Sequence, residues 1–121
     1  MGFALATVVL DCPDAHRLAD FYAALLGWPL TAVEPDWVLM RNPDGGTGLS
    51  FQSERDYVAP VWPEEAGTQQ KMLHLDIQVD DLAAATEHAI TAGAVLADHQ
   101  PQEGVRVLFD PAGHPLCLFL D

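Results

Sequence analysis

Apolar residues in the first half of the chain recur with periods that predict the order β-α-β-β-β. Residues 5–11 form an apolar run rich in Val and Thr, which is typical of a strand. Residues 14–26 then place apolar side chains at helical spacing, and Gly27 supplies the C-terminal stop of an amphipathic helix. Three further strands are predicted at residues 30–33, 37–41 and 48–52.

The second half of the chain predicts the same order of elements. Residues 72–79 alternate between polar and apolar side chains as a strand does. This alternation places three polar side chains on one face of the strand: His74, Asp76 and Gln78. The sequence Asp80-Asp opens a second amphipathic helix, and Gly93 ends it. Three more strands are predicted at residues 94–97, 105–109 and 116–120.

The two halves are similar at the level of turns as well. The turn Asn-Pro-Asp-Gly at Asn42 matches Asp-Pro-Ala-Gly at Asp110 with an offset of 68, and the glycines that end the helices match at 66. Gapped self-similarity of this kind indicates a duplicated module. The turn offset aligns two pairs of residues on the last strands: Leu49 with Cys117, and Phe51 with Phe119.

These patterns predict one α+β domain built from two tandem βαβββ modules. The first module covers residues 1–53, an intermodule loop covers 53–70, and the second module covers 71–121. Each module makes a curved mixed sheet with one face covered by its helix, and the two open faces are expected to enclose a cleft. The loop carries Tyr57 and Trp62, and its length indicates a role as one wall of the cleft or as a partner contact.

Composition and charge exclude several classes of partner. The chain has 121 residues, half of them hydrophobic, and its 18 acidic against 5 basic residues give a formal net charge of −13. This charge repels phosphate backbones and anionic lipids, so we expect no nucleic-acid or membrane partner. No stretch approaches the roughly 18 uninterrupted apolar residues of a membrane span. The sequence shows no secretion signal and no CxxC pair, so we expect a cytoplasmic protein whose Cys12 and Cys117 are reduced thiols.

Three stretches of this sequence resemble the vicinal oxygen chelate superfamily, which includes glyoxalase I, bleomycin-resistance proteins and extradiol dioxygenases. The stretches are Asp-Phe-Tyr-x3-Leu-Gly-Trp from Asp20, His-Leu-Asp-Ile-x-Val-Asp-Asp from His74, and Phe-Asp-Pro-x-Gly-x-Pro-Leu from Phe109. The resemblance covers essentially the whole chain and is greatest to a glyoxalase-like domain branch that is common in bacteria.

The resemblance implies four positions for a divalent metal, which the catalytic members of the superfamily hold on His or Glu side chains from both modules. In this sequence they fall at Thr7 or Val8, Leu49, His74 and Cys117. Only His74 and Cys117 carry good donor atoms, fewer than the three or four ligands of a tight site. We therefore expect no metal and no other cofactor, with a divalent ion on His74 and Cys117 as the alternative.

The function predicted from these observations is binding of a small organic molecule between the two modules, without a metal. The residues expected to contact the ligand are His74, Asp76, Gln78, Arg106, Leu49, Phe51, Cys117 and Phe119. Bleomycin-resistance proteins, which the chain resembles in lacking the metal set, complete their pocket with a second subunit, and this implies a homodimer. One alternative is a glyoxalase-like lyase, isomerase or dioxygenase that uses His74. Another is a structural or regulatory dimer, favoured if side chains fill the cavity.

Two residues have alternative interpretations that the sequence leaves open. His74 is the best catalytic candidate, because a histidine moves protons near neutral pH, yet Asp76 could simply hold it as a structural partner. Cys117 lies in an apolar string and is expected as core filler, unless His74 activates it as a nucleophile. Most of the other four histidines are expected to be solvated, and none is assigned a role: His16, His88, His99 and His114.

Overall fold

The computed structural model describes residues 2–120, so the outermost residues of the two predicted modules, 1 and 121, lie outside the described part. The chain forms two compact units that divide between Tyr57 and Val58, inside the segment predicted as the intermodule loop. Each unit contains one helix and one four-stranded mixed sheet. The α+β class and the repeated βαβββ order are therefore confirmed.

The first unit holds a sheet with the strand order β1-β4-β3-β2. The outer strands join it by a parallel pairing of β1 with β4 and an antiparallel pairing of β2 with β3. Its elements are β1 (Thr7–Cys12), α1 (Ala15–Leu26), β2 (Ala32–Glu34), β3 (Trp37–Met40) and β4 (Gly48–Ser53).

Helix α1 begins and ends where its capping residues predict. The Asp14 carboxylate accepts hydrogen bonds from the backbone N–H groups of His16 and Arg17, and Gly27 ends the helix in the left-handed region at φ 71°. The buried face of the helix packs on the sheet, where the Tyr22 ring stacks on Phe51 at a centroid distance of 5.5 Å. The core of this unit lies between α1 and its sheet.

The second unit repeats this arrangement with the strand order β5-β8-β7-β6, in which β5 pairs with β8 in parallel. The Asp81 carboxylate caps helix α2 by accepting from the N–H of Ala84, and Gly93 ends it. Helix α2 packs against β8, whose Leu116 and Leu118 are fully buried. The elements are β5 (Leu75–Gln78), α2 (Leu82–Ala92), β6 (Val95–Leu96), β7 (Val105–Phe109) and β8 (Pro115–Phe119).

Strand β5 is shorter than the predicted strand at residues 72–79. Met72 adopts a positive φ of 61°, and pairing with β8 begins only where Leu75 faces Leu116. The residue before Leu116 is Pro115, which has no backbone N–H that could extend the hydrogen-bonded pairing toward His74. His74 therefore lies immediately before β5, at the edge of the sheet.

The predicted alignment between the modules, which pairs Leu49 with Cys117 and Phe51 with Phe119, is off by one residue. Phe51 faces α1, so Leu49, two residues earlier on the same strand, faces α1 as well. Cys117 lies between Leu116 and Leu118, which face α2, so its own side chain leaves the sheet on the opposite face. The residue of the first unit that occupies the equivalent position is therefore Ser50. The reason is an extra residue in the first turn, because Ser50 is the fifth residue after Gly45 whereas Cys117 is the fourth after Gly113.

His114 is an exception to the expectation that most of the four remaining histidines are solvated. The residue is 8% exposed, and its Nδ1 lies 2.7 Å from Oδ2 of Asp110, a residue that is 3% exposed. The other carboxylate oxygen of Asp110 accepts hydrogen bonds from the backbone N–H groups of Ala112 and His114. The pair closes the turn between β7 and β8, so this histidine has a structural role.

Neither helix of the described residues 2–120 is long and apolar enough to cross a membrane.

Candidate functional site

The second unit contains a cavity of about 490 Å³ with mostly apolar walls and a polar end formed by His74, Asp76 and Cys117. Its walls are formed mainly by Trp62, Pro101, Val105, Val107, Pro115, Phe119 and Leu120. Its polar groups are Lys71, His74, Asp76, Gln102 and Cys117.

The pairing of β5 with β8 brings the polar end together. Asp76 lies directly opposite Cys117 in the parallel ladder, so both side chains leave the sheet on the same face. His74 precedes Asp76 by two residues and extends the same row. The face that the sequence predicted as polar is thus the face that lines the cavity.

His74 and Asp76 form a hydrogen bond, as one of the two interpretations of His74 predicted. The His74 Nδ1 lies 2.9 Å from Oδ1 of Asp76, and the two side chains are 42% and 57% exposed. In the neutral imidazole, an Nδ1–H that donates to the carboxylate leaves Nε2 as a hydrogen-bond acceptor. The pair therefore offers a carboxylate oxygen and an imidazole nitrogen to a bound molecule.

Cys117 is held as a thiol. Burial raises the pKa of the Cys117 thiol, and the negative charge of Asp76 and a hydrogen bond to its carboxylate raise it further. A nucleophilic cysteine needs the opposite environment, in which a positive charge or a base stabilises the thiolate. The half-buried side chain forms part of the cavity wall, and the geometry gives no support to activation by His74.

Three side chains at the polar end could hold a metal ion together. A ring nitrogen of His74, a carboxylate oxygen of Asp76 and the Sγ of Cys117 all lie within 4.8 Å of one another. The four positions implied by the family resemblance fit less well, because Val8 and Leu49 have no donor atom. The Thr7 hydroxyl is a poor ligand and lies 2.8 Å from the Ser50 hydroxyl, with which it hydrogen bonds.

The structure brings four of the eight predicted ligand-binding residues to this cavity: His74, Asp76, Cys117 and Phe119. Gln78 shares their strand face but lines a shallow groove beside the start of α2, with Asp80 and Asp81. Leu49 and Phe51 are buried on the helix-covered face of the first unit.

Arg106 lies on the opposite face of β7 from the two valines that flank it and line the cavity. Its guanidinium donates to the backbone carbonyls of Glu103 and Val105 at 2.8 and 2.9 Å. Alternation along β7 separates it from the polar end. Its predicted role as a ligand contact therefore has no support in the geometry of this cavity.

Several residues that line the cavity were not among the predicted ligand contacts, including Trp62 and Lys71. Trp62 packs its ring against His99 and Phe109 at centroid distances of 5.6 and 6.3 Å, and Lys71 forms an ion pair with Glu64. The only sequence signals for Trp62 were the length and the aromatic content of the segment 53–70. They indicated that this segment forms a wall of a cleft, but they did not indicate which residues the Trp62 ring packs against.

Comparison with known proteins places these features in a family. The model of the glyoxalase-like domain matches residues 7–119, which is nearly the whole chain. No curated protein matches the sequence.

Solved structures show the same fold at low sequence identity. A glyoxalase/bleomycin resistance protein/dioxygenase family enzyme from Burkholderia phytofirmans is 16% identical with a TM-score of 0.74, covering 98% of each chain. A glyoxalase-related enzyme from Fulvimarina pelagi is 20% identical with a TM-score of 0.71, covering 96% of this chain and 86% of the other. An antibiotic binding protein from Streptomyces is 18% identical with a TM-score of 0.64, covering 99% and 96%. From the match over residues 7–119, the chain belongs to the glyoxalase-like domain family.

Proposed function

We propose that this protein binds a small organic molecule in the cavity of its second unit. The observation that carries the proposal is the cavity itself, whose volume of about 490 Å³ falls within the range of about 300–1,000 Å³ typical of ligand sites. Its mostly apolar wall with a few polar groups at one end is the usual composition of such sites. An unfilled cavity favours binding over the alternative of a purely structural or regulatory dimer.

The lining indicates what kind of molecule fits. Trp62 and Phe119 supply aromatic surfaces, against which a planar or apolar body packs. Asp76 accepts hydrogen bonds, and His74 accepts one at Nε2 when its Nδ1 donates to Asp76. The ligand therefore carries hydrogen-bond donors at one end, and the charge of −13 favours a cationic donor group. The structural similarity to an antibiotic binding protein supports binding of a small organic molecule.

Binding of the organic molecule does not depend on a metal held by all four positions that the family resemblance implies, because Leu49 has no donor atom and Thr7 or Val8 offers at best a poor one. The proposal also includes a cytoplasmic location and a homodimer, which are expectations from the sequence and the family resemblance. Light scattering coupled to gel filtration tests the dimer directly, since a mass near twice 13.1 kDa supports it and a mass of one chain contradicts it.

Thermal unfolding in the presence of a panel of aromatic amines and matched neutral compounds tests ligand binding, because a molecule that binds the native state raises its stability. We expect at least one amine to raise the melting temperature, and Trp62→Phe and Asp76→Asn to reduce that shift. Trp37→Phe, in the first unit, is the matched control and should leave it unchanged. Shifts that survive both cavity variants would contradict the assignment of the site.

A second candidate function is proton transfer by a lyase or isomerase of the glyoxalase type. It is favoured by the His74–Asp76 hydrogen bond, because a carboxylate that accepts from Nδ1–H orients the imidazole and leaves Nε2 as a general base. In such an enzyme His74→Gln would abolish turnover while retaining ligand binding. If His74→Gln lost turnover and ligand binding together, the role of His74 would be in binding alone.

A further inference from the structure

We propose that His74, Asp76 and Cys117 form a binding site for a thiophilic divalent cation, of which Zn²⁺ is the best fit, within the second unit alone. The inference goes beyond the proposed function, because it concerns the ion itself and needs no organic ligand. It also differs from the set implied by the family resemblance, since it includes Asp76 and uses no residue of the first unit.

The geometry gives three ligand atoms of different chemistry in one place. The His74 nitrogen, the Asp76 oxygen and the Cys117 sulfur all lie within 4.8 Å of one another. Because β5 and β8 are adjacent strands with Asp76 opposite Cys117, two of the three ligands are fixed by the backbone register.

The donor set selects the class of metal. Zn²⁺ binds thiolate, imidazole and carboxylate at about 2.0–2.3 Å, and sites with three protein ligands keep a fourth position for water or another molecule. Mg²⁺ and Ca²⁺ prefer sites composed of oxygen atoms, so the thiol and the imidazole disfavour them. On coordination the Cys117 thiol gives up its proton to solvent.

The charges around the cluster also favour a cation. Lys71 is the one basic side chain other than His74 in the cavity lining of the described residues, and its ammonium is paired with Glu64. The net charge of −13 makes the potential around the protein negative, which attracts cations. The sequence alone paired His74 only with Cys117 as metal ligands, and the structure adds Asp76 as the third.

Titration of the chelator-treated full-length chain with Zn²⁺, by competition with a chromophoric chelator, tests this site. We expect one Zn²⁺ per chain, and with Co²⁺ a near-ultraviolet thiolate-to-metal charge-transfer band. His74→Ala, Asp76→Asn and Cys117→Ser should each weaken Zn²⁺ binding by more than the roughly 10-fold that loss of an outer partner costs. Cys117→Ser should also remove the charge-transfer band.

Matched controls separate this site from general binding to an acidic surface. Asp80→Asn and His88→Ala each remove one exposed donor from the same unit and should leave the stoichiometry and affinity unchanged. Circular dichroism without metal identifies any variant that fails to fold, and alkylation of Cys117 in the wild-type chain then replaces the Cys117→Ser test. Absence of stoichiometric binding, or binding that the three variants leave intact, would overturn the proposal. Neither result bears on the organic ligand, whose binding is measured on metal-free protein.

Discussion

Asp76 is the residue on which the chemistry of the cavity depends, because it contacts both of its reactive neighbours. It accepts a hydrogen bond from His74 Nδ1, and it raises the pKa of the Cys117 thiol that burial has already raised. A residue in this position fixes the imidazole and suppresses the thiolate at the same time. The polar end is therefore prepared for binding through oxygen and nitrogen rather than for attack by sulfur.

Replacing Asp76 by Asn should make Cys117 more reactive. The change removes a negative charge beside the thiol, so the thiol pKa falls, although burial keeps it above its ordinary value. The pH profile of alkylation, read on the Cys117 peptide by mass spectrometry of chelator-treated protein, measures this. Asp80→Asn is the control that should leave the profile in place. An unshifted profile in Asp76→Asn would show that the carboxylate does not act on the thiol.

Because the pKa of the Cys117 thiol is raised in the folded protein, the free energy of unfolding should fall as the pH becomes alkaline. The folded thiol keeps its proton at pH values where the unfolded thiol, with a pKa of about 8.5, has lost it. The contribution of Cys117 to stability is therefore complete below the unfolded pKa and is lost as the pH rises through the folded pKa. Urea denaturation of the wild type and of Cys117→Ser across this range should show a steeper decline for the wild type, and parallel curves would contradict this linkage.

Asp110 should be one of the most sensitive polar residues of the chain. Asp110→Ala removes two backbone hydrogen bonds and the partner of a buried histidine, which should lower the free energy of unfolding by about 3 kcal/mol. Asn42 begins the equivalent turn of the first unit, where its side chain accepts one N–H bond, from Asp44. Asn42→Ala should therefore cost only about 1 kcal/mol. Urea denaturation measures both, and equal losses would show that the buried pair adds nothing.

At the scale of elements, the helices were predictable to within a residue because their ends are fixed by local chemistry. Asp14 and Asp81 cap the N-termini, and Gly27 and Gly93 end the helices, so each boundary is visible in a few adjacent letters. Strand boundaries were less accurate, since the extent of β5 depends on where its partner β8 begins.

The candidate site was predictable only in part, for the same reason. Alternation along one strand placed His74 and Asp76 together, but the contact of Asp76 with Cys117 follows from the register of two strands that are distant in sequence. The alignment of the two turns predicted that Leu49 lies on the open face of its sheet, as Cys117 does. The first turn has one extra residue, and because side chains alternate between faces along a strand, this insertion places Leu49 on the helix-covered face instead. The position of Trp62 depends on packing against His99 and Phe109, which no local pattern encodes.

The close approach of β3 and β4 should make Gly48 intolerant of a side chain. A Cβ at this position would lie 2.5 Å from the backbone carbonyl oxygen of Met40, which can move only if the strands separate. Gly48→Ala should therefore destabilise the protein by about 1–3 kcal/mol. Gly104→Ala meets no atom within 4 Å and is the control, with a neutral or slightly stabilising effect expected. Denaturation midpoints that do not differ between the two variants would contradict the steric argument.

At the scale of the whole molecule, the charge of −13 should act on the rate of ligand association more than on the choice of ligand. Two ligands of the same shape, one with an amine and one neutral, separate these effects. Because salt screens long-range attraction, the association rate of the amine should fall as ionic strength rises to about 0.15 M, whereas that of the neutral ligand should change little. Stopped-flow tryptophan fluorescence measures both rates.

The Asp76→Asn variant extends this test from the whole molecule to the site. It lowers the net negative charge by only one of thirteen, so the salt dependence of association should remain nearly that of the wild type. The dissociation rate of the amine should rise, since its proposed partner in the cavity is lost. A large loss of salt dependence in this single variant would mean that Asp76 alone, rather than the summed charge of the chain, attracts the ligand. An unchanged dissociation rate would mean that the amine binds elsewhere.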